Sequence, residues 1–276
     1  MDNRPIGVFD SGLGGLTAVK ELEAALPEES IVYFGDTGRV PYGTRSRETV
    51  RRYARQDMAF LLEHHVKAVL AACGTVSANA GDVGARLPVP YFDVVAPTAA
   101  AAAKATGNGK IGVIGTTASI NSGAYVQALE AIDARLKVFA SPCPLFVPLV
   151  ENGFVQTGDQ VARLVAERYL EPLGQAGIDT LILGCTHFPI IAGTIRLVLG
   201  EKVRLIDSGK EAALALANFL GEHEMLCQPG RPRRAEYYVS DSLENFGGAA
   251  AQFLGHEVEA ARIDIESYVV SHNSDF

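Results

Sequence analysis

Val69-Leu-Ala-Ala-Cys-Gly-Thr75 and Thr180-Leu-Ile-Leu-Gly-Cys-Thr186 follow one pattern, a short apolar run ending near a cysteine with a threonine close behind. A second matched pair precedes them in the same order, Pro5-Ile-Gly-Val-Phe-Asp-Ser11 and Lys110-Ile-Gly-Val-Ile-Gly-Thr116. Apolar runs of this length read as buried strands. Two echoes in the same order, at nearly the same offset, point to two related α/β lobes.

Around these runs the chain alternates apolar segments with amphipathic helical ones, as α/β proteins do. Ile6–Phe9 is the first predicted strand, and Ser11-Gly-Leu-Gly-Gly15 turns into a helix over Leu16–Ala25. Ile31–Gly35 is the second strand, followed by the loop Pro41–Gly43 and a long helix over Ser46–His64. Ala68–Ala72 is the third, leading to Cys73, and the alanine-rich Thr98–Ala105 is a helix by propensity alone. After Asp207 no third copy opens. A helix over Ala212–Leu220 and a strand over Glu236–Val239 are expected to complete the first lobe. The predicted division is residues 1–97 with 207–276 as one lobe and 98–206 as the other, set face to face. The polar end Ser271–Phe276 is expected to fray.

The chain has 276 residues with 28 glycines and no tryptophan, which suits the many tight turns of an α/β protein. Its net charge of −8 comes with no basic stripe, since Arg231-Pro-Arg-Arg234 is short and lies between elements. Nucleic-acid binding is therefore not expected. The N-terminus lacks the pattern of a signal peptide. The most apolar stretch, Val138–Val150, contains three prolines and is too short to cross a bilayer. Neither a membrane partner nor secretion is expected. Four irregularly spaced cysteines suggest free thiols in the cytoplasm rather than a disulfide framework.

Ligands of open α/β sheets bind at the C-terminal ends of the strands. Asp10-Ser11, Cys73, Thr116 and Cys185-Thr186-His187 all fall at such ends, each before an expected helix start whose free N–H groups favour carboxylates. Facing lobes would hold a small anion between two opposed thiols. Inversion of a stereocentre by proton transfer needs such a pair, a base on one face and an acid on the other. A free cysteine is usually a small buried hydrophobe, and Cys143 and Cys227 are read that way. Cys73 and Cys185 differ because they occupy matching positions of the two halves. His187 is either a partner for Cys185 or a turn-forming surface residue. Asp10 is either a helix N-cap or a carboxylate assisting Cys73. Glu151 is a turn-start carboxylate or a catalytic helper.

Other chemistries fit less well. Gly12-Leu-Gly-Gly-Leu-Thr17 lacks the third glycine of the dinucleotide fingerprint, and the cysteine and histidine spacing matches no common zinc pattern. A single-thiol hydrolase or transferase, with one cysteine and a base, stays open as the competing class.

Val8-Phe-Asp-Ser-Gly-Leu-Gly-Gly-Leu16, Gly35-Asp36 with Pro41-Tyr-Gly43, and Cys73 with Thr75 form an ordered set. Leu149-Val-Glu-Asn-Gly153, Gly184-Cys-Thr-His-Phe-Pro189 and Ile206-Asp-Ser208 continue it. With these segments in order over nearly its whole length, the chain resembles the glutamate racemases of the aspartate/glutamate racemase family. Those bacterial enzymes supply D-glutamate for peptidoglycan, and so for cell-wall growth and cell shape. The resemblance implies two pseudo-symmetric three-layer α/β lobes with the active site in the cleft between them. It implies Cys73 and Cys185 as catalytic cysteines, with Asp10, His187 and Glu151 as helpers. Asp10, Ser11, Tyr42, Gly43, Gly74, Thr75, Thr186 and His187 then contact the substrate. No pyridoxal phosphate or metal is implied, and a homodimer is. Aspartate racemases also pair two cysteines and are the nearest alternative. One position departs from the family pattern Cys-Asn-Thr, which here reads Cys73-Gly74-Thr75. Glycine offers no side-chain carbonyl to a substrate ammonium, so water or another side chain is expected there. On the sequence, Gly74→Asn is expected to stay active.

Overall fold

The expected strands β1 (Ile6–Asp10), β2 (Ile31–Gly35) and β3 (Ala68–Ala71) are buried at every residue in a computed structural model describing residues 1–244 and 246–268. The expected fraying end, Ser271–Phe276, lies outside the described residues. Strands buried on both faces read as continuous apolar runs, which is why these were visible in sequence. Between them lie α1 (Leu16–Ala25) and α2 (Arg47–Glu63). Ser46 caps α2 by accepting a hydrogen bond from the Thr49 N–H. They are followed by α3 (Gly74–Gly84), the short strand β4 (Tyr91–Asp93) and α4 (Val95–Ala105).

Helix α4 begins at Val95 rather than at the expected Thr98. Asp93 accepts a hydrogen bond from the Val95 N–H at 2.8 Å and so starts the helix early. Pro97 then falls in the first turn, where a missing N–H costs nothing.

The second series runs β5 (Lys110–Gly115), α5 (Thr117–Asn121), α6 (Ala124–Ile132), β6 (Lys137–Pro142), α7 (Phe146–Glu151) and α8 (Gln160–Ala176). It ends with β7 (Thr180–Leu183), α9 (Ala192–Leu199) and β8 (Arg204–Asp207). The chain then forms α10 (Ser208–Glu222), β9 (Ala235–Val239), α11 (Phe246–Leu254) and β10 (Ala261–Arg262).

Two sheets result, ordered β10-β9-β2-β1-β3-β4 and β6-β5-β7-β8. Every pairing among them is parallel. Strand β9 joins the first sheet beside β2, and α10 packs on both α1 and α4. One apolar core runs through both halves, from Ile6, Val8 and Leu16 to Phe146, Leu181 and Leu183. No helix among the described residues is long and apolar enough to cross a membrane.

Candidate active site

Parallel register sends the chemistry-bearing residues to one end of each sheet. Phe9 pairs with Ala71, so Asp10 and Cys73 emerge together from the first. Ile114 pairs with Leu183, so Thr116 and Cys185 emerge together from the second. The two ends enclose one cavity of about 290 Å³. Ser11, Tyr42, Gly43, Cys73, Gly74 and Thr75 line it from one side, and Thr116, Glu151, Cys185, Thr186 and His187 from the other. Of the residues expected at the site, only Asp10 is absent from the wall.

Cys73 is 5% exposed, and its Sγ donates to Ser11 Oγ at 3.4 Å. Burial, reinforced by the charge of Asp10, pushes its thiol up to about 12. At neutral pH Cys73 is therefore a proton donor. Cys185 is 6% exposed, and its Sγ lies 3.9 Å from His187 Nδ1. The other ring nitrogen of His187, Nε2, meets Glu151 Oε1 at 3.1 Å. Burial alone would lower the imidazole, but the hydrogen bonds to Cys185 and Glu151 and the charges of Cys185 and Asp10 outweigh it. His187 rises to about 10 and carries its proton at neutral pH. The chain Cys185–His187–Glu151 thus joins a thiol, an imidazolium and a carboxylate.

Asp10 is 1% exposed and sits behind the wall. One carboxylate oxygen accepts from the Gly12 N–H at 2.9 Å, and the other has no partner among the described residues. The cap position of α1 belongs to Gly15, so Asp10 is not the N-cap. Burial pushes its carboxyl up, opposed by the charge of His187 and by backbone N–H groups. Tyr42 reaches the wall with its hydroxyl turned away, bonded to Asp36 and, at 3.2 Å, to Asp57. Its hydroxyl is spoken for, which leaves its main chain and ring for the cavity.

Three hydroxyls cross between the halves: Thr75 Oγ1 lies 2.9 Å from Thr116 Oγ1, which lies 2.9 Å from Ser119 Oγ. Sequence reading missed the apolar part of the wall, Pro144, Val147 and Pro148. Those residues belong to a run that reads as ordinary core, and no polar signal marks them. Gly74 begins α3, and a Cβ placed on it would lie 2.2 Å from the Gly184 carbonyl oxygen across the cleft. That contact corrects the expectation that asparagine fits there, because backbone cannot yield as a side-chain tip does. Among the described residues, no three His, Cys, Asp or Glu side chains converge as metal ligands.

Residues 10–216 match the family described as Asp/Glu/Hydantoin racemase. A glutamate racemase from Geobacter metallireducens is 44% identical over 253 residues, covering 91% of this chain and 93% of the relative. The crystal structure of glutamate racemase from Francisella tularensis in complex with D-glutamate is 39% identical with a TM-score of 0.90. It covers 97% of this chain and 100% of that one. The glutamate racemase from Thermus thermophilus in complex with β-chloro-D-alanine is 42% identical with a TM-score of 0.86, over 96% and 99% of the two chains. Aspartate racemase from Picrophilus torridus, 19% identical with a TM-score of 0.55, shares the fold.

Proposed function

The chain belongs to the Asp/Glu/hydantoin racemase family and is an amino-acid racemase, and from that premise we propose that it interconverts L- and D-glutamate using Cys73 and Cys185 as its acid/base pair. The observation that carries this reading is the arrival of two thiols in one small cavity from two different sheets. A single-thiol hydrolase would need only one of them there. Their protonation is unequal: Cys73 is a thiol, while Cys185 faces the protonated His187. In one direction Cys185 takes the Cα proton on one face and Cys73 returns a proton on the other. The reverse reaction exchanges the roles, so each turnover leaves the site primed for the opposite enantiomer.

The substrate carboxylates meet the hydroxyls of Ser11, Thr75 and Thr186 and the main chain around Tyr42-Gly43, Gly74 and the start of α3. Asp10 acts on Cys73 through its field, without reaching the substrate, and Glu151 acts through His187. Two thiols supply both proton transfers, so no cofactor is needed. The lobes are residues 1–97 with 207–276, and 98–206, the cut near 97 falling within α4. The enzyme works in the cytoplasm as a homodimer and supplies D-glutamate to peptidoglycan synthesis. The glutamate assignment is supported by relatives above 40% identity that carry that name.

A racemisation assay across L-Glu, L-Asp and L-Gln tests the reading, on protein dialysed against a chelator and a carbonyl reagent. Turnover of L-Glu alone is expected. Preference for L-Asp overturns the substrate, and activity that returns only with pyridoxal phosphate overturns the cofactor-free chemistry.

The unequal thiols make a separate expectation. At pH 7, limiting iodoacetamide should alkylate Cys185 well before Cys73, because only a thiolate reacts and Cys73 holds its proton to about pH 12. Peptide mass spectrometry reads the order, and faster labelling of Cys73 reverses the assignment.

A further inference from the structure

Three glycines of the first half stand where the second half touches it. A Cβ on Gly14 would lie 2.3 Å from Thr186 Oγ1 and 2.5 Å from the His187 ring. On Gly43 it would lie 2.8 Å from Thr116 Cβ, and on Gly74 it would lie 2.2 Å from the Gly184 carbonyl oxygen. None of the three has a positive φ, so any residue could adopt their backbone conformation. Space, and not chain geometry, is what requires glycine. The atoms opposite are the substrate-side groups of the other half: Thr116, Gly184 next to Cys185, and Thr186 with His187.

We propose that Gly14, Gly43 and Gly74 are positioning residues, three seats on which the second half closes and which together set the separation of the Cys73 and Cys185 sulfurs. The inference rests on the two-thiol reading and adds what holds the thiols at working distance. Three contacts around a cavity define a plane, so closure on these seats stops at one separation and one tilt. A methyl group at any seat acts as a wedge. Carbon and oxygen sit comfortably at about 3.5 Å or more, so at Gly74 the wedge must part the halves by about 1 Å. Proton transfer across both faces of one carbon does not tolerate that gap.

Gly14→Ala, Gly43→Ala and Gly74→Ala are compared with Gly221→Ala, a control in α10 where a new Cβ has nothing within 4 Å. The Gly74 and Gly43 variants should lose about a hundredfold in kcat, the scale of a 1 Å misplacement, while KM changes less than about threefold. The control should match the parent. Because a parted cavity admits reagents, alkylation of Cys73 and Cys185 should quicken severalfold in the seat variants, read by mass spectrometry under conditions where thermal melting shows them folded. Folded seat variants with parental kcat, or with unchanged alkylation, overturn the inference. If Gly74→Ala does not fold, Gly43→Ala decides, since Gly43 is half-exposed and its new methyl meets a threonine side chain. A parent that fails to racemise glutamate sinks the proposed function instead, and the alkylation comparison still judges the seats.

Discussion

Cys73→Ala and Cys185→Ala should each lower glutamate racemisation by about 10³- to 10⁴-fold, the upper range for deleting a positioned acid or base. Inversion uses both groups in every turnover, one to remove a proton and one to supply it, so neither loss is softened by the other. Serine should be almost as damaging, because a hydroxyl is a far weaker base at neutral pH. Deuterium labelling checks the same point in the parent. The opposite thiol exchanges with solvent before it donates, so in D₂O the product enantiomer should carry deuterium at Cα from its first turnover while recovered substrate stays protiated. The serine variants also separate the faces. With a glutamate analogue carrying chloride at Cβ, one base can still drive elimination, and Cys73→Ser and Cys185→Ser should prefer opposite enantiomers. A shared preference, or an alanine variant that racemises normally, removes the two-thiol mechanism.

The second large effect is on stability. Arg39→Ala should cost about 3–5 kcal/mol, the penalty of leaving buried charge unpaired. The Arg39 guanidinium bonds Asp36 at 2.6 Å and Asp57 at 3.0 Å, and reaches Glu266 at 3.2 Å. It also lies 4.1 Å over the ring of Tyr53. Both aspartates are fully buried, and burial beside Asp36 already holds the Asp57 carboxyl well above its ordinary range. Without the cation the pair must take up a proton or unfold. Arg39→Lys should recover only part of the loss, since an ammonium cannot span the forked contacts. The same cluster anchors the Tyr42 hydroxyl, so the Val40–Thr44 loop at the cavity should loosen and kcat/KM should fall with stability. Urea melts of the three proteins measure it. A loss under about 1 kcal/mol for Arg39→Ala would mean that the aspartates find other partners.

That cluster also marks a limit of the sequence. Asp36, Arg39, Tyr42 and Asp57 are ordinary polar residues in the chain, and only the folded register of β2, the loop and α2 makes them one buried group. The strands β1, β2, β3, β5 and β7 were legible because burial on both faces leaves unbroken apolar runs. The short strands β4 and β10 carry no such run, and tertiary pairing alone makes them strands. At the site the two cysteines, His187 and Glu151 could be named because they are reactive types in matched or suggestive places. Asp10 was misjudged in reach, since position at a strand end does not say whether a short side chain points forward or back. The demand for glycine at position 74 was hidden because the atom that forbids a side chain belongs to Gly184, far along the chain.

The pairing of β9 with β2 has a consequence for synthesis on the ribosome. The edge of β2 that will receive β9 is made early, and its partner follows roughly 200 residues later, about 10–40 s at 5–20 residues per second. Throughout that interval the nascent chain presents an apolar strand with an open row of N–H and C=O groups, a surface that invites pairing with other chains. The intervening half can complete its own sheet first, because all four of its strands lie together in the chain. The order of maturation is therefore middle before ends, and the catalytic cleft comes into being only when the last part of the chain has returned to the first.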